Sequence, residues 1–108
     1  MSKAEENADL AALAEIDRLV HEPARLAVMA LLYVVESADF IFLMNQTGLT
    51  WGNLSAHMAK LEGVGYIEVK KAFKGNRPNT TLRLTDKGRL AFLKYALHMK
   101  HVFGDFQG

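Results

Sequence analysis

A chain of 108 residues, half of them apolar, has the size of one domain and enough apolar surface for a real core. With no cysteine it excludes a disulfide scaffold, a zinc–thiolate site and a cysteine nucleophile. "LAVMALLYVV" is about half the roughly 20 apolar residues a membrane span requires. The net charge of +1 hides a sorting: residues 1–40 carry three basic against eight acidic residues, residues 60–89 eight basic against three acidic. That asymmetry points one part of the molecule at a polyanion.

The first ten residues, "MSKAEENADL", are polar and partly acidic, unlike a signal peptide, so a cytoplasmic protein without a membrane partner is expected. Leu10, Leu13, Ile16 and Val20 recur at helical spacing and predict a helix over 8–20. His21-Glu22-Pro23 breaks it, and Pro23 suits the first turn of the next helix, 23–36, because its missing N–H would be unsatisfied there anyway. Ser37-Ala38 leaves room for a stub of strand. Asp39 is placed to cap a third helix over 40–47. Gly48 ends that helix, and Thr50 caps a fourth that runs to about Gly63, with Leu54, Met58 and Leu61 forming its inner stripe. Two short helices joined by a glycine-containing turn make a helix-turn-helix. "YIEVKKAF" then alternates, "KGNRPN" is a turn by composition, and "TTLRL" returns, which predicts a hairpin with a basic tip. Thr85 caps a last helix, 86 to about 103. The fold class is therefore mainly α (α+β), a winged helix-turn-helix with added N- and C-terminal helices.

Residues 21 to about 97 resemble the winged-helix transcriptional regulators of the MarR/ArsR-like group, in particular a small single-domain branch common in archaea and bacteria. The likeness is carried by Gly52, Asn53, Leu54, Ser55, His57, Lys60, Leu61, Glu62, Gly65 and Tyr66, then by Phe73, Gly75, Pro78, Thr80, Leu84, Thr85, Gly88, Arg89, Ala91 and Phe92. Trp51 departs from it, since the group usually has a small polar or acidic residue there. The resemblance implies a homodimer that binds double-stranded DNA and controls transcription. It names neither target genes nor a small-molecule effector.

The front of the fourth helix opens awkwardly. A glycine inside a helix costs about 1 kcal/mol against alanine, yet Gly52 sits beside the only tryptophan, Trp51. Thr50, Trp51, Asn53, Ser55, His57 and Lys60 lie away from the inner stripe. In a major groove, amide and imidazole groups can bond base edges and Lys60 can reach a phosphate. Gly52 would let the helix start approach the sugar-phosphate chain. The competing reading packs Trp51 against the third helix and makes His57 a solvated or capping residue. The wing supplies Lys70, Lys71, Lys74, Asn76, Arg77 and Thr80, suited to phosphate or a minor groove. Its competing reading is a solvated edge, since lysines also protect exposed strands.

The last helix has two apolar faces, Leu90/Leu93/Leu97 and, nearly opposite, Phe92/Tyr95/Met99/Phe103/Phe106. One can serve the core, and the other calls for a second copy of the chain. The expected dimer interface joins Leu13, Ile16 and Val20 to Phe92, Tyr95, Met99 and Phe103. The domain division is then one unit, 1–108: an N-terminal helix (1–20), a winged-helix core (21–85), and a dimerisation helix with its tail (86–108). His98 and His101 share a helix face but lack a third ligand, so no metal and no cofactor is expected. No catalytic set assembles, so no enzyme is expected. The rival function is a winged-helix protein-interaction module in a transcription complex, against which the basic wing argues.

Overall fold

In a computed structural model of the protein, residues 17–104 are described. Among them, helix α1 (Pro23–Val35) is followed by strand β1 (Ser37–Asp39), α2 (Phe40–Thr47) and α3 (Trp51–Gly63). Strands β2 (Ile67–Lys74) and β3 (Arg77–Leu84) come next, then α4 (Asp86–Gly104). Each helix starts where its sequence supplies an acceptor for the orphan N–H groups of its first turn. The Glu22 carboxylate accepts from Arg25 N at 2.8 Å, with Pro23 in the first turn. Asp39 accepts from Phe42 N at 2.7 Å, and Thr50 from Asn53 N at 3.2 Å. Gly48, at φ 71°, closes α2 in the left-handed region that glycine enters freely.

The core lies where α1, α2 and α3 meet the sheet. Val28, Met29, Leu32, Leu43, Leu54 and Leu61 are buried completely, and Met58 nearly so. The inner stripe expected of α3 is therefore its buried stripe. The sheet is antiparallel in the order β1-β3-β2. Strand β1 reaches only Thr81–Arg83, so beyond residue 80 the wing is a two-stranded ribbon. Lys74 pairs with Arg77 across a two-residue loop, with Gly75 at φ 66°. That is the hairpin geometry in which glycine is favoured at the first loop position.

Two expectations change. Leu13 and Ile16 lie outside the described residues, as does Phe106, but Val20 is visible and is no part of a helix. Residues 17–22 form a turn in which Asp17 Oδ1 accepts from Leu19 N (3.0 Å) and Val20 N (3.4 Å). An aspartate that bonds backbone N–H groups two and three residues on competes with helix. Val20 is fully buried in the chain's own core, which removes it from a dimer interface. The faces of α4 are also exchanged. Tyr95 is buried and Phe92 and Met99 pack against the core, while Leu90, Leu93 and Leu97 face outward, Leu90 with 67% exposure. The hydroxyl of Tyr95 meets His21 Nδ1 at 2.7 Å, and Phe92 stacks on Tyr33. The aromatic face goes inward because it finds both an apolar wall and a polar partner there. Of the expected aromatic interface only Phe103 remains exposed.

The end of α3, the root of the wing and the start of α4 are joined at Tyr66. Its carbonyl accepts from Thr85 N at 3.0 Å, and Thr85 Oγ1 donates to Gly65 O at 2.5 Å while accepting from Gly88 N at 3.0 Å. A Cβ at Gly88 would fall far inside contact distance of the Tyr66 carbonyl, so α4 crosses here only with glycine. The Tyr66 hydroxyl donates to Asp17 Oδ2 at 2.6 Å. That bond, helped by partial burial and the carboxylate's charge, pushes the phenol up to about 12 from 10.0. A pKa raised in the folded state gives stability that is complete below pH 10 and lost as pH rises towards 12. Urea unfolding should therefore show Tyr66→Phe about 1–2 kcal/mol less stable than the wild type at pH 7, with the gap narrowing between pH 10 and 12. A gap independent of pH across that window would rule out the Asp17 bond as its source.

Candidate nucleic-acid interface

The exposed front of α3 and the inner face of the wing form one continuous surface. On α3, Thr50, Trp51, Gly52, Asn53, Ala56 and Lys60 are exposed and Ser55 is half-buried. Trp51 has both expected characters at once. Its ring leans on Phe40 with centroids 4.3 Å apart, yet 59% of the residue remains exposed. Gly52 has nothing within 4 Å of a Cβ placed on it. Among the described residues nothing requires that glycine, so its helix penalty has no explanation in them.

Cross-strand pairs share a face of a sheet, and the register divides the wing accordingly. Ile67/Leu84, Val69/Leu82, Lys71/Thr80 and Phe73/Pro78 point to the side of α3, and Trp51, Ser55, Lys71 and Thr80 line a common groove. Lys70/Thr81, Ala72/Asn79 and Lys74/Arg77 point to the other side. The structure therefore brings Lys71 and Thr80 to the recognition helix, holds Asn76 and Arg77 at the tip, and sets Lys70 on the opposite face. Arg83, a further basic residue of β3, donates to Glu68 at 2.6 Å and is neutralised locally.

His57 differs most from its expected role. It is turned back towards α1, with its side chain only 22% exposed, and Arg25 Nη1 lies 3.1 Å from its Nδ1. A guanidinium only donates, so Nδ1 is the acceptor in this bond. Arg25, itself buried, also donates from Nε to Leu19 O at 2.6 Å. Glu22 Oε2 stands 3.5 Å from His57 Nδ1 and 3.9 Å from Arg25 Nη1. Burial pulls the Glu22 carboxyl upward, but N–H groups of Arg25 and Ala24, with the nearby positive charge, outweigh it and hold the group below its ordinary 4.5. His57 thus fixes the recognition helix to the start of α1. Arg25, missed in the sequence, had one visible signal: a charged residue three positions after a capping glutamate, inside an otherwise apolar helix.

Among the described residues no three His, Asp or Glu side chains are placed to hold a metal ion, and no helix is long and apolar enough to cross a membrane. A family described as the winged helix DNA-binding domain matches residues 24–103. The chain belongs to this family. An uncharacterized protein of Methanocaldococcus jannaschii is 38% identical over 78 residues, covering 72% of this chain and 85% of its own. A transcriptional regulator homologue from Pyrococcus horikoshii OT3 has the same fold, with a TM-score of 0.83 at 26% identity over 92% of this chain and 97% of that one. A MarR-like transcription regulator from Bacillus cereus superposes with a TM-score of 0.67 at 14% identity, over 94% of this chain and 76% of its own, a likeness of fold. The winged helix DNA-binding domain seen here is thus that of a DNA-binding transcription regulator, MarR-like in architecture.

Replacing Gly52 by Ala separates fold from surface. With open space at the Cβ position, Gly52→Ala should stabilise the domain by up to about 1 kcal/mol through helix propensity, read as a raised Tm. An unchanged or lowered Tm would mean that the glycine has a structural role after all.

Proposed function

We propose that the protein acts as a homodimeric, sequence-specific regulator that places α3 in the major groove and its wing against the minor groove or backbone. The observation that carries the groove reading is the front of α3. It pairs an exposed Asn53 and Lys60 with a glycine that nothing among the described residues requires, beside the inner wing face of Lys71 and Thr80. Asn53 can bond an adenine edge, and Lys60 and Lys71 can neutralise phosphates. Thr50 and His57 act differently: one caps the helix and the other fixes its tilt. Arg77 and Asn76 extend the surface to the hairpin tip, and Lys70 and Lys74 add charge from its far side.

Anisotropy of labelled mixed-sequence duplex DNA, titrated at several salt concentrations, tests this. The logarithm of the binding constant should fall linearly with log salt, and Arg77→Ala should reduce the slope by about one unit. No binding at low salt would remove DNA from the reading and put protein–protein interaction in its place.

The dimer is carried by Leu90, Leu93 and Leu97, spaced at i, i+3 and i+7 on the outer face of α4. An exposed stripe at that spacing is a helix-packing seam, and a two-fold axis along it would present two α3 helices to sites one DNA turn apart. Light scattering should find twice the mass of 12.0 kDa. Leu93→Glu should halve that mass while keeping the helical spectrum. A dimer unaffected by Leu93→Glu would place the interface elsewhere.

A further inference from the structure

The tip of the wing carries an apolar group that a purely electrostatic contact does not require. Phe73 is 76% exposed, one of the most exposed large apolar side chains among the described residues. It stands opposite Pro78 on β3, which is also exposed. Lys74 and Arg77 close the two-residue loop, so the next pair outward from it, Phe73/Pro78, falls at the closely spaced position of an antiparallel ladder. The two rings form a single apolar edge. Pro78 has no N–H, so that edge offers no hydrogen bond to another strand there.

This edge belongs to the face of the wing that points towards α3. Along that face the pairs change from buried (Ile67/Leu84) through a half-buried Val69 opposite a buried Leu82 to polar and basic (Lys71/Thr80), then return to apolar at Phe73/Pro78. A hairpin tip that only had to stay soluble would continue the polar pattern, since an exposed aromatic on a free ribbon invites association. Here Lys71 precedes it on the same face and Lys74 and Arg77 follow on the opposite face of the ribbon, with no acidic residue between Lys70 and Thr85. An apolar edge flanked by positive charge matches a groove with anionic rims and apolar deoxyribose walls.

We propose that Phe73, backed by Pro78, is an apolar wedge that enters the minor groove of duplex DNA and packs on deoxyribose and base edges there. The proposal rests on the DNA reading above and deepens it, assigning to the wing a contact that is not a salt link. In the minor groove, Phe and Pro side chains serve as wedges at base steps, next to arginines that read groove width. Lys71, Lys74 and Arg77 bring the ribbon to the phosphates, and Phe73 replaces water along the deoxyribose walls. The wedge therefore reports on groove width and step deformability, the features that indirect readout uses.

The two layers of the reading separate by salt dependence. A phosphate contact contributes to the salt slope, and an apolar one does not. The full chain and its Phe73→Ala, Phe73→Leu and Arg77→Ala variants are titrated into a labelled A·T-rich duplex at several salt concentrations. The titrations are repeated with netropsin occupying the minor groove. Phe73→Ala should weaken binding roughly tenfold at every salt concentration with an unchanged slope, Phe73→Leu should recover most of the loss, and netropsin should abolish the difference between wild type and Phe73→Ala. The exposed position predicts an unchanged Tm for both Phe73 variants. Wild-type binding with a salt slope but equal affinity for Phe73→Ala overturns the wedge alone. A difference that survives netropsin also overturns it, as does a change of oligomeric mass in Phe73→Ala, which would make the edge a contact between copies of the chain. No wild-type binding at low salt overturns the DNA reading itself.

Discussion

The joint at Tyr66 is the constraint on which the arrangement depends. Its carbonyl receives the first turn of α4, its hydroxyl holds the turn before α1, and its backbone starts the wing. Three elements distant in sequence are fixed relative to one another within one residue's reach. The absence of a side chain at Gly88 allows the closest of these approaches. Because the same residue follows the end of α3, the angle between the recognition helix and the wing is set here. A surface meant to fit a rigid double helix needs that angle held by backbone, since a misplacement at the root is magnified at the tip. The salt link between Arg83 and Glu68 lies on the exposed side of the same root, where a solvated ion pair contributes little to stability.

A second fixture holds the middle of α3. Arg25 is buried and can remain so only because Leu19 O, His57 and Glu22 meet its guanidinium. A buried charge lacking such partners would be strongly unfavourable. The arrangement makes the helix–helix crossing directional, where apolar side chains such as Leu54 and Met29 would tolerate sliding. Thr50 closes the first turn of the same helix. The exposed front of α3 is thus presented by a helix held at its middle and beyond its C-terminal end, with Asn53 and Lys60 left exposed.

Most of the fold was legible because it is written in local chemistry. Asp39, Thr50 and Gly48 mark helix ends through bonds they make within a few residues, and the Leu54/Met58/Leu61 spacing names its own buried side. The wing follows from alternation and a glycine turn. What sequence could not supply is whatever depends on a distant partner. The helical wheel of α4 gives two apolar faces, and only the presence of Tyr33 and His21 decides that Phe92 and Tyr95 turn inward. Asp17 looks like any charge on a helix until its bonds to Leu19, Val20 and Tyr66 make it a turn. His57 looks like a groove reader because its partner Arg25 lies 32 positions earlier. Residues with polar heads were placed correctly when their role was capping and wrongly when their role was tertiary.

The short first strand has a mechanical consequence. Because β1 braces β3 only at Thr81–Arg83, the hairpin is clamped at its base and unsupported beyond it, like a beam fixed at one end. Two-stranded ribbons twist more readily than wider sheets, so compliance is concentrated beyond Lys71 and Thr80. In the proposed complex the tip can follow a groove that widens or narrows from one sequence to the next while α3, secured at Tyr66 and Arg25, keeps its register. Stiffness and adaptability are assigned to different halves of one surface by the length of a three-residue strand.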